Sequence, residues 1–133
     1  MGQLLLRLAL SAGFLSAAAS RLGLWGSHSS GWDKFVSYTA QVCTWAPASA
    51  VSFLAITATT LEVLLALLLL AGFMTKLAAI GTAILTLLFA LSMTYSQGIK
   101  EPLDYSVFVF SAAGLLLSTV KEYSWSLDHL LKN

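Results

Sequence analysis

The chain has 133 residues, 58% of them hydrophobic and 10% charged, with a mean hydropathy of +0.83. Soluble domains carry about 25% charged residues, so this composition points to an integral membrane protein. The net charge of +1 and the lack of any basic run exclude nucleic acid as an expected partner.

Apolar and polar residues do not alternate over about ten positions, as barrel strands would require, so the spans are expected to be helical. The sequence therefore predicts an all-α fold: one transmembrane domain over residues 1–133, built as a four-helix bundle. Residues 4–24 form the first expected span. A signal peptide would carry a basic stretch before its apolar core. Here Arg7 interrupts the core instead, so the segment is read as a retained helix. Arg7, Ser11, Phe14, Ala18 and Arg21 follow one another at spacings of four, three, four and three, which aligns them on one face. That stripe admits two readings. It is an inward face, or the two arginines snorkel to headgroups at either end.

A connector follows, rich in Gly and Ser around His28. With no second His or Cys nearby, His28 gives no metal site. Phe35, Tyr38 and Val42 share a helical face, so residues 33–45 are expected to form a short amphipathic helix lying on the membrane. Trp25, Trp32 and Trp45 suit an interfacial aromatic belt. The single cysteine, Cys43, has no internal disulfide partner.

Residues 48–73 are expected to form the second span, with Glu62 near its middle. A lipid-exposed carboxylate at that depth costs about 3 kcal/mol, so Glu62 should face a partner or a cavity. Its own face is small, with Ala55, Ala58, Thr59 and Ala66, while Leu64, Leu67 and Leu68 point elsewhere. The third span is expected over residues 77–97, with a small face of Ala79, Thr82, Ala83, Thr86 and Ala90. The fourth is expected over 102–120, opened by Pro102 and Asp104 and carrying Ser111 and Ser118 on one stripe. A polar tail, residues 121–133, places Trp125 at an interface.

The spans pair as two hairpins. Arg7, Lys76, Lys121 and Lys132 fall on the terminal side, against Arg21, Lys34 and Lys100 on the other. This balance favours an N-in, C-in orientation. Arg7, Arg21, Glu62, Asp104, Ser111 and Ser118 are the candidate intramembrane polar site. Packed inward, they either shape a midplane site for a small lipophilic ligand or lock the helix register. No nucleophile–base pair, haem histidine pair, phosphate loop or metal cluster is visible, so no catalytic residue is assigned.

With these residues in hand, the chain resembles the DoxX family of small four-span membrane proteins. Arg7, Ser11, Phe14, Ala18 and Arg21 occupy the places of the family's Arg, Gly, Phe, Gly and Lys, with small residues in place of both glycines. Leu61-Glu62, the leucines 67–70, Gly72 and Lys76 match the order of its second helix. Gly98-Ile-Lys-Glu-Pro-Leu-Asp-Tyr-Ser106, and Ser126-Leu-Asp-His-Leu-Leu131 after Tyr123, are similar to recurring family segments. The resemblance implies a multi-pass protein of the bacterial inner membrane. DoxX-like proteins are similar to DoxD, a membrane subunit linked to thiosulfate oxidation with quinone as acceptor. It therefore implies an accessory or quinone-linked subunit of a membrane redox system, with quinone as the cofactor and a redox protein as partner. A non-catalytic scaffold or assembly factor is the alternative. A proton-coupled transporter stands third, because it needs Glu62 to titrate beside arginines. Whether Glu62 meets Arg7 or Arg21, and whether the chain forms a homo-oligomer in the bilayer, stay open at this level.

Overall fold

The computed structural model describes residues 2–29, 31–104, 107–121, 123 and 126–132. Among the described residues lie seven α-helical stretches: α1 (Gly2–Arg21), α2 (Trp32–Val42), α3 (Val51–Ala71), α4 (Thr75–Gln97), α5 (Lys100–Asp104), α6 (Val107–Ser118) and α7 (Leu127–Lys132). The described residues hold no strand. The helices α1 and α4, and α3 with the 3-10 turn that leads into it, are long and apolar enough to cross a membrane. By itself α6 is shorter, because 12 residues rise about 18 Å against the roughly 30 Å of a hydrocarbon core. Tyr105 and Ser106, inside the fourth expected span, and Trp125 lie outside the described residues.

Small residues decide which faces meet. In α3 the buried positions are Val51, Ala55, Thr59, Glu62, Ala66 and Leu69. Leu64, Leu67 and Leu70 stay exposed on the outer surface. A face of this kind lets a second helix approach closely while leucines are left for lipid. The second helix is α1, running antiparallel and burying Arg7, Leu10, Ser11, Phe14 and Ala18. Ser11 Oγ donates to the Ala66 carbonyl at 3.0 Å, one rung across the pair.

The small face of α4 receives α6 in the same way. Ala79, Thr82, Ala83, Thr86 and Ala90 are all buried. A Cβ on Gly114 would lie 3.1 Å from the Ala79 carbonyl oxygen and 3.1 Å from the Ala83 nitrogen, so the backbones nearly touch here. Ser111 Oγ closes the contact by donating to the Ala83 carbonyl at 2.8 Å.

The helix expected over residues 33–45 is α2, and it ends earlier, at Val42. Its buried residues are Phe35, Thr39 and Val42, which pack on α3, α4 and the end of α1. Thr39 thus takes the inward place expected for Tyr38, which is half-buried.

Between α3 and α4 the chain turns sharply. Gly72 adopts φ 73°, the left-handed conformation that ends helices, and its N–H reaches back to the Leu68 carbonyl. Met74 follows at φ 49°. Its N–H and that of Thr75 donate to the two carboxylate oxygens of Asp128, at 2.8 and 2.7 Å. The segment expected as a plain polar tail therefore folds back as a clasp on this turn. Asp128 also donates its own N–H to the Gly72 carbonyl at 2.9 Å.

Candidate functional site

The two arginines of the α1 stripe both point inward and meet different partners. Arg7 is fully buried. Its Nε donates to the Leu69 carbonyl at 3.0 Å and its Nη2 to the Leu70 carbonyl at 3.3 Å, at the C-terminal end of α3. Helix ends leave carbonyls without intrahelical partners, and a cation there also opposes the helix dipole. Snorkelling is ruled out for Arg7 by its burial.

Arg21 meets the acid. Its Nη1 forms an ion pair with Glu62 Oε2, and its Nη2 lies 3.4 Å from Oε1. The same Nη1 donates to Thr59 Oγ1 at 3.1 Å, one turn before Glu62 on α3. The guanidinium carbon sits 3.8 Å above the centre of the Phe35 ring, so α2 covers the cation with an aromatic face. The side chains of the pair are 11% and 7% exposed. Removing one partner of such a pair strands a charge, at a cost of about 3–5 kcal/mol. These three bonds leave further N–H groups on the guanidinium unused.

The remaining candidates are dispersed. Ser111 joins α6 to α4, and Ser118 Oγ donates within α6 to the Leu115 carbonyl at 2.5 Å. Asp104, expected on the inner stripe, lies instead on the surface and pairs with Lys100 at 2.5 Å, four residues earlier in α5. Half of its side chain is exposed. Of the six candidates, the structure brings Arg21 and Glu62 into contact.

Beside that pair lies a hollow of about 300 Å³. Gly13, Phe14 and Ala17 of α1 form one wall, and Leu85, Thr86 and Phe89 of α4 form the other. Phe110 of α6 closes one side, with its ring centre 4.9 Å from that of Phe14. A Cβ on Gly13 would come within 2.8 Å of the Phe110 ring, so this glycine lets the ring lie across α1. Thr86 is already engaged, donating to the Thr82 carbonyl at 2.7 Å. The cleft is thus apolar and aromatic, with its charge at one end in a neutral pair. This arrangement suits an uncharged ring that offers hydrogen-bond acceptors to Arg21.

A family model described as DoxX matches residues 2–95. The chain belongs to the DoxX family. Membership makes it a small integral membrane protein, in keeping with its long apolar helices. No curated protein and no solved structure matches the chain. The DoxX match takes in Arg7, Arg21, Glu62 and both long walls of the cleft, and it ends before Phe110 and the Asp128 clasp. Among the described residues no group of His, Cys, Asp and Glu is placed to hold a metal ion.

The sequence marked neither Gly13 nor Phe110, and it placed Phe35 and Asp128 only on an apolar helix face and in a recurring family segment. Phe35 carried a usable signal, since it leads the apolar face of α2. Asp128 stood in the recurring segment 126–131, but its partners, 54 and 53 residues away, left no mark there.

Proposed function

We propose that this DoxX protein binds a membrane-borne quinone in the Arg21–Glu62 cleft, as an accessory or quinone-linked subunit of a membrane redox system. The observation that carries this reading is an aromatic, apolar cleft of about 300 Å³ with an ion pair at one end. A quinone ring stacks on Phe14 and Phe110, and one of its carbonyls accepts an N–H of Arg21 that the Glu62 and Thr59 bonds leave unused. Glu62 holds Arg21 in place and cancels its charge, so a neutral ring is favoured over an anion. In an accessory role of this kind, electrons would come from a partner protein. In this reading the protein sits in the bacterial inner membrane with four spans, N-in and C-in. Its fourth span is carried by α6 packed along α4.

Mass spectrometry of small lipophilic molecules retained after gentle extraction from the native membrane tests this. Near-stoichiometric quinone is expected, and Ala17→Leu, which fills the cleft while keeping both charged side chains, should abolish it. Background lipid alone in the unaltered protein would overturn the reading.

A second reading has its own support. Arg21 is held by Thr59, Glu62 and Phe35 together, which is also what a lock between α1, α2 and α3 requires. A scaffold or assembly factor would then co-purify with a protein partner and carry no quinone.

A further inference from the structure

A second hollow, of about 220 Å³, lies beside the first along α4 and shares Leu85 and Phe89 with it. Its other walls include Cys43, Leu54 and Leu88. The polar side chains at its edge are engaged within the protein. Thr39 Oγ1 donates to the Phe35 carbonyl at 2.8 Å, and Ser92 Oγ accepts the Trp45 indole N–H at 3.2 Å. A polar ligand would find no unused partner there, whereas a hydrocarbon chain needs none. The two hollows therefore differ in kind. One has a charged end, and the other is lined mainly by apolar side chains, Trp45 and Phe89 among them.

We propose that the two hollows form one track for an amphiphile, with its polar ring at Arg21–Glu62 and its hydrocarbon chain passing Leu85 and Phe89 to reach Cys43. This rests on the ligand reading above and narrows it to rings that carry a chain. Phe89 is the specificity-determining residue, because its half-buried ring stands between the compartments. Both hollows are bordered by residues midway along α4, at a depth where the surroundings are acyl chains. The ligand therefore enters sideways from the bilayer.

The single cysteine of the chain lies in the tail compartment and reports on it directly. The experiment measures the rate of Cys43 alkylation by N-ethylmaleimide in lipid nanodiscs, with binding of the same probes followed in parallel. The probes are decylubiquinone, duroquinone and decanol; both quinone rings are fully substituted and so do not add to the thiol. Decylubiquinone at about ten times its Kd is expected to slow alkylation by about tenfold, as mass action requires. Duroquinone, which has the ring without the chain, and decanol, which has the chain without the ring, should leave the rate unchanged. Leu54→Trp, at a wall of the second hollow alone, should cancel the protection by decylubiquinone while duroquinone still binds.

Decylubiquinone that binds, and is displaced by Ala17→Leu, yet leaves Cys43 alkylation unchanged would overturn the track and keep the quinone site. Equal protection by decanol would mean an adventitious lipid chain and would also overturn it. If neither quinone binds, the site itself falls and the track with it.

Discussion

Arg7 and Arg21 share one face of one helix, yet the fold gives them opposite surroundings. Arg7 is sealed among backbone carbonyls at the end of α3, where a Cβ on Gly72 would come within 2.5 Å of its Nη2. Arg21 pairs with an acid and borders an open cleft. The first arginine closes a structure, and the second leaves room for something else. Two cations on a stripe are thus not equivalent evidence of a site. What separates them is whether space remains beside the charge.

The difference can be broken at either end, and the largest effect is expected at Arg21. Arg21→Ala leaves Glu62 charged without its partner and should destabilise the protein by about 3–5 kcal/mol in detergent unfolding. Replacing both partners, as in Arg21→Leu with Glu62→Leu, should recover most of that loss. Failure to recover it would mean that Arg21 matters chiefly through Phe35 and Thr59.

Arg7→Met removes charge-assisted bonds to Leu69 and Leu70, and a loss of about 2–3 kcal/mol is expected in the same assay. Quinone retention should be unchanged in the folded fraction, which sharpens the contrast with Ala17→Leu.

Gly72→Ala imposes a left-handed φ of 73° on a residue with a side chain, at about 1–2 kcal/mol. Its Cβ would also fall 2.3 Å from that of Ser126, so the clasp must move. Faster proteolysis after residue 120 is the expected readout.

Asp128 gives the smallest effect and a pH dependence. Burial alone would raise its carboxyl pKa, but the Thr75 and Met74 N–H groups and the Arg7 charge outweigh it and hold the carboxyl below its ordinary value. A lowered pKa contributes stability that is full above the unfolded value, near 4, and is lost as pH falls through the folded value. Asp128→Ala should therefore cost about 1 kcal/mol at neutral pH and progressively less below pH of about 4. Hydrogen exchange at the Met74 and Thr75 amides would follow it, and a pH-independent difference would exclude the carboxylate as the cause.

Much of this arrangement is legible in the sequence. The spacing from Arg7 to Arg21 sets the inner face of α1, and the small residues around Glu62 set that of α3. The choice of partner is not legible. Arg7 and Arg21 are 14 residues apart, about 21 Å along a helix, and local periodicity is blind to how far α1 slides along α3. That offset comes from tertiary contacts such as Ser11 on Ala66. Asp104 misled for a related reason, since its heptad spacing to Ser111 says nothing of how far the packed face extends, and its carboxylate meets Lys100 on the surface. The cleft was likewise hidden, because a gap between helices leaves no mark on any one of them.

The clasp at Asp128 carries a consequence for biogenesis. A ribosome releases α3, the tight turn and α4 long before residue 128 emerges. During that interval the Met74 and Thr75 amides have no carboxylate to accept them, and the left-handed turn is held by Gly72 and its own backbone bonds. The hairpin therefore forms with an unfinished end, and translation of residues 126–132 completes it.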